Sequence, residues 1–145
     1  MGNAIDDRIL NRLHKWVPGF KILGVGNNKL DQEKICILDA SQEYLYLIDK
    51  RTLTIVSCPK ISFKVNEEES GSLKITIQDI VVTTVDEGDG SILMDYLLNY
   101  AKDIGVTHLS GQLSNSNSQI DEERRNHFYR KFGFSINGNQ IAKVL

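Results

Sequence analysis

The sequence predicts a single α/β domain, residues 1–145, built on a mixed β-sheet, and two features of the chain lead to this prediction. The first is a strand, turn, helix and strand between Leu73 and Leu113, with a turn rich in glycine. The second is a series of short apolar segments between Phe20 and Val65, separated by polar turns, which is typical of antiparallel strands. With 145 residues, of which 41% are apolar, the chain is long enough for one well-packed core and too short for two.

Composition excludes several classes of function. A formal charge of −2 gives no overall attraction to nucleic acid or to an anionic membrane. Cys36 and Cys58 lie inside apolar segments, which favours buried thiols in a reducing cytosol over a single disulfide, the alternative that stays open. No cluster of cysteine and histidine suggests a metal, and no secretory signal or membrane-spanning run is present. We therefore expect a cytoplasmic protein without a metal, a nucleic-acid partner or a membrane partner.

The first half of the chain is predicted to contain one helix and five strands. Apolar residues recur at spacings of three and four from Ala4 to Val17, and Pro18-Gly19 follows, so we expect a helix there. Pro59 suits a strand edge or a bend. The expected strands are Phe20–Val25, Lys34–Leu38, Tyr44–Ile48, Leu53–Ser57 and Ile61–Val65.

The strand predicted over Leu73–Val82 contains a change of phase. Apolar residues alternate with polar ones up to Ile77, but the apolar face continues from Ile80 on even-numbered positions. A β-bulge near Gln78-Asp79 supplies the one extra residue that this change requires. The alternative is a strand whose end is buried on both faces.

A glycine-rich turn, Asp86–Ser91, leads into a helix predicted from Ile92 to Ile104, with Gly105 as its C-terminal stop. N–H groups in the first turn of a helix have no acceptor within the helix, and they lie at the positive end of its dipole. The turn is therefore a candidate site for a phosphate or a pyrophosphate. The strand Val106–Leu113 follows at once, which predicts a βαβ crossover.

The last part of the chain is predicted to contain a polar loop, a helix and a hairpin. The loop Ser114–Ser118 is expected on the same rim of the sheet as the glycine-rich turn, where open α/β sheets bind ligands. The helix is predicted over Gln119–Phe132 and ends at Gly133. The strands Phe134–Ile136 and Gln140–Val144 then form a hairpin through Asn137-Gly138.

Two motifs within this order of elements resemble the GCN5-related N-acetyltransferase (GNAT) superfamily. Val85–Gly90 lies in register with the family's turn, which has Gln or Arg, two variable residues, Gly, a variable residue and Gly or Ala. Phe128–Phe134 is similar to the "LYxKxGF" end of the family's last helix. The resemblance covers residues 73–145, the half expected to bind the cofactor, whereas the front half, residues 1–66, departs from the family. It implies a GNAT-like α+β fold, with a mostly antiparallel sheet, a bulged strand and helices on both faces.

The resemblance implies direct transfer of an acetyl group from acetyl-CoA, the acyl-donor cosubstrate, to an unidentified amine. Backbone groups at the end of the bulged strand would pair with the pantetheine arm, and N–H groups of the turn would hold the pyrophosphate. Tyr129 would protonate the departing thiolate as general acid. Glu122 stands where the family often has Asn, and Asn115 or Asn117 is the substitute. The implied cofactor-binding residues are Val82, Thr83, Thr84, Gly88, Asp89, Gly90, Ser91 and Asn115.

The same motifs also depart from the family pattern. Val85 removes a side-chain donor, and Asp86 and Glu87 place two carboxylates beside the expected pyrophosphate. At an effective dielectric near 20 and about 8 Å, each repulsion is roughly 2 kcal/mol before salt and solvent reduce it.

Other interpretations therefore stay open. The chain as a whole is alternatively a catalytically inactive GNAT-like module for binding or assembly, which includes a homodimer through an open sheet edge. Gly88 and Gly90 alternatively serve only a tight turn, and Tyr129 is alternatively a packed helix residue. Asp79 is a candidate general base, whereas His108 and His127 are expected to be surface residues or to have ordinary partners.

Overall fold

The computed structural model describes residues 5–82, 88–113 and 119–145, and for residues 119–121 it describes the backbone alone. In these residues there are three helices and eight strands. The helices are α1 (Asp7–Trp16), α2 (Asp89–Asp103) and α3 (Gln119–Lys131). The strands are β1 (Lys21–Asn27), β2 (Glu33–Leu38), β3 (Tyr44–Ile48), β4 (Lys60–Glu67), β5 (Leu73–Val81), β6 (Val106–Gln112), β7 (Ser135–Asn137) and β8 (Gln140–Val144).

The eight strands form one sheet with the order β1-β2-β3-β4-β5-β6-β8-β7. β5 and β6 are parallel, with Leu73 opposite Val106 and Ile77 opposite Gly111. The other registers that the structure describes are antiparallel. A parallel pair requires a crossover, which α2 supplies between β5 and β6. The mixed, mostly antiparallel sheet expected from the sequence is confirmed.

Backbone contacts divide the chain into two compact units. The first consists of Met1–Ser62 and Asp79–Leu98, and the second consists of Phe63–Gln78 and Asn99–Leu145. β4, β5 and α2 therefore contribute residues to both units. The single domain expected from the sequence stays a prediction.

In the first unit, α1 packs on one face of β2. The helix begins at Asp7 because Asp6 is its N-cap, whose carboxylate accepts a hydrogen bond from the Ile9 N–H at 2.9 Å. Ile9 and Leu13 are buried in one apolar cluster with Ile35 and Ile37 of β2. This packing confirms the amphipathic helix that the spacing predicts.

The opposite face of β2 is covered by α2. Cys36 lies between Ile35 and Ile37, so its side chain points away from α1. Its partner in β1 is Gly24, where an added Cβ would collide with the ring of Tyr96. The Tyr96 hydroxyl donates a hydrogen bond to the Val25 carbonyl at 3.0 Å. Within this unit, helices therefore lie on both faces of the sheet, as expected.

Both cysteines are free and buried. Burial raises the pKa of the Cys36 thiol to about 12 and that of the Cys58 thiol to about 11. The prediction of buried thiols is confirmed.

The predicted strand at Leu53–Ser57 is wrong, because this segment forms turns. The Val56 N–H donates to the Thr54 hydroxyl at 3.3 Å, and the Ser57 hydroxyl donates to the Thr54 carbonyl at 3.3 Å. These local bonds replace a strand ladder. Leu53 is 82% exposed and Val56 is 76% exposed, whereas Ile55 packs against the core cluster, so the apolar residues of this segment do not share one buried face. β4 instead begins at Lys60, after Pro59.

In the second unit, predicted end signals of two helices are confirmed. Gly105 follows α2 at a φ of 85°, and Gly133 follows α3 at the same angle. The Phe134 N–H donates to the Tyr129 carbonyl at 3.1 Å, which closes the end of α3. Asn137 pairs with Gln140 across the predicted hairpin.

The central strand changes phase where the sequence indicates. Ile75 and Ile77 are buried, Gln78 and Asp79 are both exposed, and Ile80 is partly buried. The register shift recorded between β5 and β6 lies instead at Leu73/Lys74. The bulge at Gln78-Asp79 stays a prediction.

Candidate functional site

The glycine-rich turn is described from Gly88 onward. α2 begins at Asp89, three residues before the predicted start at Ile92, and the Ile92 N–H donates to the Gly88 carbonyl at 3.1 Å. Gly88 has a φ of 89°, which L side chains rarely adopt. An added Cβ there would lie 3.2 Å from Lys29 Cγ and 3.3 Å from Lys29 N. Gly88 is therefore needed for both its conformation and its close approach to Lys29.

The earlier start places Asp89, Gly90 and Ser91, three of the four predicted phosphate-binding residues, inside the helix. Asp89, Gly90 and Ser91 form the first turn of α2. The N–H groups of a first turn have no acceptor within their own helix and lie at the positive end of its dipole. The start of α2 thus has the backbone chemistry of an anion site.

The side chain of Asp89 is turned into the protein, with 2% of the residue exposed. One carboxylate oxygen accepts a hydrogen bond from Asn28 Nδ2 at 3.2 Å, and the other lies 4.0 Å from Lys34 Nζ. Asn28, Lys34 and Asp89 are the buried polar or charged residues in the part of the chain that the structure describes. Asn28 and Lys34 both lie beside the Asp89 carboxylate, so the three residues form one buried polar group at the start of α2.

Asn28 also fixes the loop between β1 and β2, residues 28–32. Its side-chain oxygen accepts hydrogen bonds from the N–H groups of Leu30 and Gln32, both at 3.0 Å. Its side-chain nitrogen also donates to Gln32 Oε1 at 2.9 Å. One buried asparagine thus ties the β1–β2 loop to the start of α2.

Lys34 connects Asp89 to Asp49, which follows β3. Lys34 Nζ lies 2.8 Å from Asp49 Oδ2, and the Arg51 N–H donates to Asp49 Oδ1 at 2.8 Å. Burial alone would raise the pKa of the Asp49 carboxyl, but these hydrogen bonds and the charge of Lys34 lower it below its ordinary value. Asp49 is the closer partner of Lys34, and Asp89 is at the limit of an ion pair.

Tyr129 lies near the end of α3, in the second unit, and is 7% exposed. Its ring contacts Phe128 and Phe134 edge-on, with centroids 5.3 Å and 5.6 Å away. These ring contacts agree with the interpretation of Tyr129 as a packed helix residue. Its role as a general acid stays a prediction.

The remaining sequence candidates lie elsewhere or outside the described residues. Asp79 is exposed in β5, and Val82 follows the end of that strand and is partly buried. His108 Nε2 lies 2.6 Å from a Glu68 carboxylate oxygen, which agrees with the expectation of an ordinary partner. The predicted site residues outside the described ranges are Thr83, Thr84 and Asn115, together with Val85, Asp86, Glu87 and Asn117.

The described residues contain neither a candidate metal site nor a candidate membrane-spanning helix. Residues 5–82, 88–113 and 119–145 contain no group of three His, Cys, Asp or Glu side chains that would hold a metal ion. No helix in the same residues is long and apolar enough to cross a membrane.

The sequence alone did not reveal Asn28, Lys29 or Lys34. Asn28 ends a polar turn and Lys34 directly precedes an apolar run, so both look like ordinary residues at strand ends. Asn28 and Asp89 are 61 positions apart, and no local pattern links them. Asn28 and Lys34 share one signal, the burial of an amide or charged side chain, which the folded chain alone shows.

Comparison with solved structures shows a shared fold. Naa50 of Arabidopsis thaliana, in complex with the bisubstrate analogue CoA-Ac-MVNAL, is 18% identical, with 70% of this chain and 72% of that chain aligned and a TM-score of 0.55. The NatC complex bound to Gag peptide and CoA gives 12% identity, 70% of each chain and a TM-score of 0.55. AtaTR bound with AcCoA gives 15% identity, 70% of this chain, 66% of that chain and a TM-score of 0.50. No protein-family model and no curated protein matches the chain. The chain thus has the GNAT fold, which confirms the expected fold class.

Proposed function

We propose that this protein is an acyl-CoA-dependent N-acetyltransferase that transfers acetyl directly from acetyl-CoA to an amine. The start of α2 carries the proposal. Gly88 holds a left-handed conformation there, and the Asp89 carboxylate is buried and accepts a hydrogen bond from Asn28. The GNAT fold supports the proposal, since the solved structures with this fold include complexes with CoA and acetyl-CoA.

The start of α2 is the proposed binding site for the pyrophosphate of CoA. Backbone N–H groups from Gly88 to Ser91 would bind it through the chemistry of a helix N-terminus. Val82, Thr83 and Thr84 would pair with the pantetheine arm as an added strand does, and Asn115 would contribute a further polar contact. These roles come from the resemblance, and the described geometry of Gly88 and Asp89 is compatible with them.

Lys29 is the proposed source of positive charge. Val85 removes the donor that the family usually has, and Asp86 and Glu87 add negative charge. Lys29 is exposed, and its backbone and side-chain stem pack against Gly88. Its ammonium extends from this contact by two further methylene groups, so it is available to a phosphate bound at the turn.

In the proposed reaction, an unprotonated amine attacks the thioester carbonyl. A C–N bond forms, the C–S bond breaks, the nitrogen releases a proton to solvent, and the thiolate takes a proton from Tyr129, which then regains one from solvent. A tyrosine pKa of about 10 and a thiol pKa of about 8.5 are close enough for this transfer.

A catalytically inactive module is the second candidate function. The observation that favours it is the packing of Tyr129 between aromatic rings, with 7% exposure. Such a module would bind CoA or assemble as a homodimer without turnover. In either case we propose a cytoplasmic protein without nucleic-acid or membrane partners, in keeping with the charge of −2.

The test is thermal unfolding with CoA, with acetyl-CoA and with pantetheine, which lacks phosphates. At 100 times its Kd, a ligand stabilises by about 2.7 kcal/mol, which corresponds to a rise in Tm of about 5–10 °C for a chain of this size. We expect this rise with CoA and acetyl-CoA and a much smaller one with pantetheine. Turnover on a panel of amines then separates the enzyme from an inactive module that binds CoA. No rise in Tm at millimolar CoA contradicts both of these and leaves only a module for assembly.

A further inference from the structure

We propose that Asn28 and Lys34 are positioning residues for the CoA-binding turn: they hold the Asp89 carboxylate away from the first turn of α2 and neutralise its charge. The inference rests on the proposed function. Neither residue is implied by the family resemblance, since both lie in the front half of the chain.

An aspartate at the start of a helix competes with an anionic ligand. A carboxylate is attracted to the N–H groups of the first turn and to the positive end of the helix dipole. A bound pyrophosphate uses the same N–H groups and the same dipole. The Asp89 carboxylate instead accepts a hydrogen bond from Asn28 at 3.2 Å and is buried. Asn28 is itself fixed by the N–H groups of Leu30 and Gln32, so it is a rigid donor. Because its carboxylate is bonded to Asn28, Asp89 competes less with the ligand for the first-turn N–H groups and the positive end of the α2 dipole.

Lys34 balances the negative charge behind the turn. It is 8% exposed and lies between two carboxylates, 2.8 Å from that of Asp49 and 4.0 Å from that of Asp89. Arg51 approaches the same Asp49 oxygen to 3.3 Å, but its side chain is 68% exposed and contributes little. Without Lys34, the buried carboxylate of Asp89 and the partly buried carboxylate of Asp49 would have Arg51 as one exposed cation nearby, and their negative field would oppose a bound pyrophosphate.

A purely structural role for the same residues makes a different prediction. If the group only holds the β1–β2 loop, removal of Lys34 loosens the fold, and no change at Asp89 restores ligand affinity. If Lys34 neutralises Asp89, then removal of the Asp89 charge restores affinity. The double variant therefore separates the two roles.

The experiment measures the Kd for CoA by isothermal titration calorimetry in four proteins: wild type, Lys34→Met, Lys34→Met with Asp89→Asn, and Lys34→Met with Asp49→Asn. We expect Lys34→Met to raise Kd roughly tenfold at low salt, the effect of one charge near the ligand after partial screening. High salt should reduce this difference. Asp89→Asn should recover most of the loss, because asparagine keeps an acceptor for Asn28, whereas Asp49→Asn should recover less.

Equal Kd values in wild type and Lys34→Met overturn the inference, as does equal recovery by Asp49→Asn and Asp89→Asn. If Lys34→Met does not fold, Asp89→Asn alone decides: it should bind CoA at least as tightly as wild type, and weaker binding overturns the inference. A wild type that binds no CoA refutes the proposed function and the inference with it. A wild type that binds, with variants that behave as the structural role predicts, refutes the inference alone.

Discussion

The two candidate functional regions of this protein have opposite surroundings. At the start of α2, the buried side chain of Asp89 accepts a hydrogen bond from Asn28 and lies near Lys34, and the proposed ligand contacts are backbone groups. At the end of α3, Tyr129 is packed against the rings of Phe128 and Phe134, and the proposed chemistry belongs to one hydroxyl. The first region depends on a backbone conformation and on the side chains that support it. The second depends on a single atom.

This difference decides how each region is tested. A change to the backbone conformation at Gly88 should affect binding, whereas removal of the Tyr129 hydroxyl should affect turnover. If both changes affect the same quantity, the division between a binding region and a catalytic region is wrong.

Tyr129→Phe is expected to have the largest effect. Loss of a general acid typically lowers kcat by about 10²–10⁴-fold, while phenylalanine keeps the ring contacts and so leaves CoA affinity within a few-fold of wild type. Steady-state kinetics and calorimetry on the same samples check this. The control is Tyr96→Phe, which removes a hydroxyl bonded to the Val25 carbonyl and should lower Tm without a loss of kcat. Unchanged kcat in Tyr129→Phe would leave this tyrosine as a packing residue.

Gly88→Ala should weaken CoA binding by roughly 10- to 100-fold, since a strained φ costs about 1–3 kcal/mol and relief of that strain moves the turn. Gly71 is the matched control, because its φ of 86° is nearly the same and an added Cβ there meets nothing within 4 Å. Both alanine variants should lose thermal stability, and Gly88→Ala alone should lose CoA affinity. Equal CoA affinity in the two variants would leave Gly88 with only a turn-forming role.

Lys29→Gln should raise the Kd for CoA by about three- to fivefold, in the range of one exposed charge pair. The loss should shrink as salt increases. Lys21→Gln, which removes an exposed lysine at the start of β1, should leave Kd unchanged. A similar loss in both variants would indicate general attraction of CoA to the protein and would contradict a specific contact from Lys29.

The smallest expected effect concerns pH. The pKa of Asp49 is lowered in the folded state, so its contribution to stability is present above the ordinary carboxyl pKa and is lost as pH falls through the lower, folded value. Tm should therefore decrease below about pH 4 by more in wild type than in Asp49→Asn. Parallel Tm profiles for the two proteins would show that the pairing with Lys34 contributes nothing to stability.

Local signals in the sequence predicted much of the fold. Gly105, Gly133 and the Asn137-Gly138 turn each determine a conformation through their own residues, and all three are as expected. The strand predicted at Leu53–Ser57 is wrong because the Thr54 hydroxyl and carbonyl accept local hydrogen bonds, which the apolar spacing does not reveal.

The sequence predicted only part of the candidate site, because a local motif does not reveal contacts with distant residues. Gly88 and Asp89 carry a recognisable motif, but the motif does not specify where the Asp89 carboxylate points. That direction depends on Asn28 and Lys34, which are distant in sequence and have no pattern of their own. Side chains that act on the motif from another part of the chain become visible only through their burial and their distances.

We propose above that the start of α2 binds the pyrophosphate of CoA. Titration of ¹⁵N-labelled protein with CoA tests it most directly, because the amide signals of individual residues report where the ligand binds. We expect saturable shifts of the Gly88, Asp89 and Gly90 amides, with much smaller shifts when pantetheine replaces CoA. Amide signals at the start of α2 that stay unchanged at millimolar CoA would contradict the claim, even if signals elsewhere respond.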